Sequence, residues 1–148
     1  MVRRYMLLAV IFLFLCVNVT LAQTSGLTVP SYWQNQRGSI LHLNGMDAAG
    51  HVVGQYTNKA QGYPCQATYP LVGWIYDNGI TFTVAWVNDT ESCNSLTSWT
   101  GHYNNGAITT QWLLVNNSSG VITKGEDIFG PCSEADASKS KPKSPNSK

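Results

Sequence analysis

The stretch LVGWIYDNGITFTVAWV, residues 71–87, decides the fold. Two runs rich in β-branched and aromatic residues flank Asp77-Asn78-Gly79. Asn-Gly between apolar runs is the strongest short-range hairpin signal. Side chains alternate faces along a strand. Phe82, Val84 and Trp86 therefore share one face, and Leu71, Gly73 and Ile75 share another. Trp74 falls in the opposite phase and is assigned to neither core nor site.

The same grammar repeats in both directions. Eight short β-rich runs are expected: Ser31–Asn35, Ile40–Leu43, Val52–Thr57, Leu71–Tyr76, Ile80–Val87, Ser98–Tyr103, Ile108–Val115 and Asp127–Phe129. Asn44-Gly45, Ala49-Gly50, Asn104-Asn105-Gly106 and the run NNSSG ending at Gly120 punctuate them. No strong helical period appears among them. Short strands joined by hairpins form a meander, and a meander of this size closes into an all-β, eight-stranded antiparallel up-and-down barrel. Closure also removes the edges that promote aggregation.

The chain of 148 residues is long enough for one domain. Its start, MVRRYMLLAVIFLFLCVNVTLAQ, has the outline of a secretory signal: Arg3 and Arg4, an apolar run from Met6 to Val17, then the small residues Thr20 and Ala22. Residues 1–22 are read as that signal, 23–130 as the barrel, and 131–148 as a disordered Ser/Lys/Pro-rich tail. The apolar run is too short to span a bilayer, so a secreted or periplasmic protein is expected. Without Arg3 and Arg4 the basic residues fall from nine to seven, against eight acids, a formal net charge of about −1. No clustered basic face suggests nucleic acid. Cys65 and Cys93 lie in the loop-like stretches GYPCQATYP and NDTESCNSL and read as one disulfide, in keeping with export. Cys132 is left over. His42, His51 and His102 are isolated, with no metal-ligand spacing. There is no Ser nucleophile motif and no catalytic carboxylate pair, so neither an enzyme nor a cofactor is expected.

Five Trp and seven Tyr are many for this length. If the alternating faces point inward, the interior holds Trp33, Trp86, Trp99 and Trp112, together with Asn35, Tyr56 and Asp127. A pure core would not mix these groups, because each buried polar group without a partner costs about 1–3 kcal/mol. A ligand that supplies the partners explains them. Trp33, taken alone, reads as packing at the barrel floor.

The pieces W-x-N-x-x-G-S (Trp33, Asn35, Gly38, Ser39), G-x-Y (Gly54, Tyr56), TFTVAW, SWTGHY, ITTQWLL and D-x-F (Asp127, Phe129) run in order from Ser31 to Phe129. In that series the chain resembles the avidin family of biotin-binding proteins. The resemblance implies a barrel holding one small ligand at its open end, as in streptavidin. It assigns Asn35, Ser39 and Tyr56 as donors to the ureido oxygen of biotin, and Asp127 as the acceptor of a ureido N–H. Thr97 is placed near the ring sulfur and Ser95 near the valerate carboxylate. Trp86, Trp99 and Trp112 become the walls. Asn58 stands where Ser or Thr is frequent, and its carboxamide oxygen can still accept a ureido N–H. The stretch VNNSSGVITKGE contains no Trp, so this chain lacks the lid that tetrameric members lend to a neighbour. In this and in the placing of Cys65 and Cys93 it is similar to the short dimeric, rhizavidin-like avidins, which bridge these two loops. The expectation is a non-catalytic, high-affinity biotin binder, a homodimer able to build larger assemblies. The alternative is a lipocalin-like carrier of another small apolar ligand. Against it stand the polar cluster and the missing G-x-W, since Ser31 precedes Trp33 by two.

Overall fold

A computed structural model describes residues 26–62, 65–89 and 91–139; the signal-like segment lies outside them. Eight antiparallel strands follow in chain order: β1 (Ser31–Asn35), β2 (Ile40–Met46), β3 (His51–Thr57), β4 (Thr68–Tyr76), β5 (Gly79–Val87), β6 (Ser92–Asn104), β7 (Ala107–Asn116) and β8 (Ile122–Cys132). Each pairs with its neighbour in sequence, and β8 pairs with β1 to close the barrel. All eight expected strands are present. The hairpin expected at Asp77-Asn78-Gly79 is formed, with Gly73 opposite Phe82 and Ile75 opposite Ile80.

Several strands run longer than expected. The sixth begins at Ser92 and the eighth at Ile122, in polar stretches that extend beside their partners. The tail differs more. Pro131 and Cys132 belong to β8 and pair with Trp33 and Tyr32. A short helix α1 (Glu134–Lys139) follows, so 131–139 is not the disordered segment expected from composition. Ser133 caps it: its Oγ accepts from Asp136 N at 3.1 Å and donates to Asp136 Oδ2 at 2.6 Å. The bond from Asp136 N is an N-cap, which satisfies one of the free amides of the first turn. Residues 140–148 lie outside the described residues.

The interior is aromatic. Trp99 stacks on Tyr56 and on Phe82, with ring centroids 4.9 Å apart in both pairs. Trp86 meets Tyr69 edge-on at 5.1 Å, and Phe129 meets Phe82 at 6.2 Å. Such pairs add about 0.5–1.5 kcal/mol each beyond the area they bury. Trp33 packs edge-on against Tyr103 at 5.9 Å and donates its Nε1–H to Ser31 Oγ, at the closed end where a floor residue was expected. Trp74 faces out and is 52% exposed. His51 pairs with Asp47 at 2.7 Å, and His42 stacks on Tyr32 on the outer wall. Cys65 and Cys93 are joined, with their Cα atoms 6.2 Å apart.

The inward and outward phases give a direct test. Phe129→Ala should empty a fully buried site and cost about 3–5 kcal/mol, whereas Trp74→Ala on the outer face should cost under about 0.5 kcal/mol. Equilibrium unfolding in guanidinium reads both. Equal losses would show that the strand phase is wrong.

Candidate functional site

Strand direction gathers the site at one end. The C-terminal ends of β1, β3, β5 and β7 meet the N-terminal ends of β2, β6 and β8 around a cavity of about 390 Å³. Nine of the ten expected ligand residues line it: Asn35, Ser39, Tyr56, Asn58, Trp86, Ser95, Trp99, Trp112 and Asp127. Thr97 shares the inward face of β6 with Ser95 and Trp99 but does not line the cavity. It is buried, and its Oγ1 accepts the Trp86 Nε1–H at 2.7 Å, so it orients that ring. The joined Cys65 and Cys93 form part of the wall.

The turn from Asn35 to Ser39 sets the donors. Asn35 Oδ1 accepts from the backbone N–H groups of Arg37 and Ser39, at 3.0 and 2.9 Å. That fixes the amide the other way round at its far end, where Nδ2 donates to the Tyr56 hydroxyl at 3.2 Å. Gly38 makes the turn possible, since its φ of 83° is in the left-handed region that favours glycine. Asn58 is oriented in the same manner. Its Nδ2 donates to the Cys65 carbonyl at 3.1 Å, and its Oδ1 accepts from Ala60 N at 3.1 Å while facing Ser39 Oγ at 3.5 Å. Burial and the charge of Asp127 push the Tyr56 pKa far up, so the phenol keeps its proton and remains a donor.

Asp127 is the acceptor of the group. It is 3% exposed. Its Oδ2 accepts the Trp99 Nε1–H at 2.9 Å, and its Oδ1 accepts from Gln36 Nε2 at 3.3 Å. Arg37 Nε lies 4.0 Å from Oδ1. Burial raises the carboxyl pKa above its ordinary value; the hydrogen bond from Trp99, the charge of Arg37 and the amides of Asn35 and Gln36 draw it part of the way back.

The polar cluster is therefore not waiting for partners. Among the described residues, every buried side-chain N and O has one. The expectation that a ligand must supply them is corrected: the groups hold one another, and the hydroxyls and carboxylate keep spare capacity toward the cavity. This is how a preorganised site is built.

Trp112 depends on the strand beneath it. It faces Gly125 across the β7–β8 pair, and a Cβ at Gly125 would come within 2.3 Å of the indole Cζ2. Only glycine lets the ring lie on β8. Sequence reasoning passed over Arg37, Leu114, Asn116, Thr123 and Lys124, which also line the cavity. Leu114 and Thr123 share the phase of Trp112 and Asp127, so alternation offered a signal for them; a turn residue such as Arg37 offers none.

A model of the Avidin family matches residues 23–130. The chain belongs to the avidin family. Among curated relatives, Afifavidin of Afifella pfennigii is 47% identical over 108 residues, covering 68% of this chain and 67% of its own. Hoefavidin of Hoeflea phototrophica is 34% identical over 113 residues, covering 67% and 69%. Among solved avidin structures, apo shwanavidin aligns at a TM-score of 0.69 and 46% identity, covering 72% of this chain and 98% of that one. The rhizavidin–biotin complex aligns at 0.67 and 42%, covering 72% and 93%. The likeness to short avidins expected from the two cysteine loops is thus found in the relatives as well as in the bridge.

The buried acid has a cost with a definite sign. Because its folded pKa is raised, the penalty is absent below the ordinary carboxyl pKa, grows as pH rises through the folded value, and is full above it. Asp127→Asn keeps an acceptor for Trp99, so the unliganded variant should melt a few degrees higher than the parent at pH 7 and show no gain at pH 3. Calorimetry at the two pH values checks this, and a lower melting point at pH 7 would contradict it.

Proposed function

We propose that the chain is a non-catalytic binder of biotin, exported from the cell and built on a homodimer. One observation carries the reading. Three donors (Asn35, Ser39 and Tyr56) and one buried carboxylate (Asp127) converge in a tryptophan-walled cavity, in a chain whose relative rhizavidin is solved as a biotin complex. A ureido group suits that set: its carbonyl oxygen takes the donors and its N–H groups face the acceptors Asp127 and Asn58. Trp86, Trp99 and Trp112 bury the fused ring and the aliphatic chain, while Ser95 at the start of β6 is available to the terminal carboxylate. Thr97, expected near the sulfur, acts instead through Trp86, whose ring it orients.

Export is supported by the charged, apolar and small-residue order of the first 22 residues. Self-association is supported by the outer face of β6–β8, where Leu96 and Ile122 flank Val115 across the strands and Leu113 lies beside them, all but Val115 exposed. A mouth without a Trp lid relies on stiffness instead. The Cys65–Cys93 bridge limits loop motion before binding and so lowers the ordering cost of the complex.

A thermal melt with and without excess biotin tests the reading. A ligand that binds only the folded state stabilises it by about 4 kcal/mol at a thousandfold excess over Kd, and by more for a tighter ligand. A large upward shift is expected. A folded protein that shows no shift would leave the barrel with another ligand, as in the carrier alternative.

The bridge has its own test. Cys65 and Cys93 are 28 residues apart, so replacing both with Ser should cost roughly 3–4 kcal/mol in the chain-entropy account. The variant should also release biotin faster, as followed by competition with a labelled ligand. Unchanged stability and unchanged release together would show that the bridge is idle.

A further inference from the structure

Arg37 is a cation at the rim of a cavity whose working acid is buried. It lies in the turn between β1 and β2, its side chain 38% exposed, and it lines the cavity. Its guanidinium carbon sits 5.9 Å from the centroid of the Trp112 ring, and its Nε is 4.0 Å from Asp127 Oδ1. The group thus spans two walls, resting on the aromatic face of one and against the carboxylate of the other. Its neighbour Gln36 fastens the same place. Gln36 Nε2 donates to the Glu126 carbonyl at 3.0 Å and to Asp127 Oδ1 at 3.3 Å, and Gln36 Oε1 accepts from Ile128 N at 3.0 Å. The turn carrying Arg37 is therefore tied to β8 on both sides of Asp127.

We propose that Arg37 is a positioning residue that keeps the Asp127 carboxylate ionised and turned toward the bound ligand. The inference rests on the biotin reading and deepens it. An ionised carboxylate accepts a ureido N–H in a charge-assisted bond, about twice as strong as a neutral one. A neutral carboxyl would spend one oxygen as a donor. The other charged or titratable groups near Asp127 do not do this work. Tyr56 on β3 is a neutral phenol, Glu126 points outward to Gln111, and Lys124 lies three residues up β8 at the mouth. Trp99 on β6 donates to the carboxylate without charge, and Thr110 on β7 donates to the Asp127 backbone carbonyl instead. Arginine suits the place better than lysine for stacking on Trp112, because its guanidinium is planar and weakly hydrated.

Two readouts separate the proposal from the biotin reading. The first is the Asp127 carboxyl titration in ligand-free protein, followed by 13C NMR in the parent, Arg37→Gln and Arg37→Lys. An opposite charge at this distance moves a carboxyl by about one pH unit or more, so Arg37→Gln should raise the midpoint by about one unit and Arg37→Lys should leave it near the parent value. The second is biotin affinity across pH. In Arg37→Gln the fall in affinity on acidification should begin about one unit higher, leaving about tenfold weaker binding at pH values below both midpoints; in an Asp127→Asn background Arg37→Gln should change nothing further. A midpoint that does not move, equal behaviour of the Gln and Lys variants, or a loss that persists with Asn at 127 would each overturn the role of Arg37. If the parent itself fails to bind biotin, the functional reading falls, and the NMR midpoint still decides whether Arg37 controls the acid.

Discussion

The pairing of β8 with β1 is the contact on which everything else depends. It joins Tyr32 to Cys132 and Asn35 to Phe129, residues about a hundred positions apart in the chain. Without it the donors of the first strand and the acid of the last would share no cavity. The ladder does not stop where β1 ends. Gln36 continues it with a side chain, donating to one backbone carbonyl of β8 and accepting from a backbone amide two residues on. The seam is thus tied as far as the rim where the ligand groups lie. Long-range pairing of this kind is slow to form, because the chain must close its longest loop before the contact repays it.

The site follows from that closure through local rules. A turn with one left-handed glycine fixes Asn35 and Ser39, one cross-strand and one cross-barrel aromatic stack fix Trp99, and the Thr97 hydroxyl fixes Trp86. Most of the functional groups are held by one another: Asn35 by Tyr56, and Trp99 by Tyr56 and Asp127. The expense falls on Asp127, whose charge is kept under cover by hydrogen bonds and a nearby cation rather than by water. A carboxylate in that setting is a strong acceptor because it is poorly solvated, and the same fact makes it a burden to the empty barrel.

Much of this was legible in the residues. Asn-Gly turns located the hairpins, and period-two alternation put Phe82, Val84, Trp86 and Trp99 inside, while Trp74, left unassigned, turns out to face solvent. What escaped has a common cause. Near the mouth a strand has solvent on its outer face and a polar cavity on its inner one, so the early part of β6 (Ser92 to Ser95) and of β8 (Ile122 to Glu126) shows no apolar alternation. Those segments are strands because their neighbours are. The helix after Cys132 escaped for another reason: composition read Ser133-Glu134-Ala135-Asp136 as a solvated tail, while the spacing of Ser133 and Asp136 spells a helix cap. Arg37 was invisible because its importance comes from Asp127 and Trp112, which reach it only in three dimensions. The polar cluster was seen but misjudged, since its members satisfy one another.

The closed meander has a topological consequence. Seven of the eight neighbouring strand pairs are joined by the chain, and only the β8–β1 pair is not. The start of β1 at Ser31 and the end of β8 at Cys132 lie side by side. The ring of strands therefore has no privileged starting point. A short linker across that gap, with new ends opened at the Asn105–Gly106 turn on the side away from the cavity, would give a circularly permuted barrel with the same walls in the same places. The order in which the ligand groups are written along the chain is a matter of where the ring was cut.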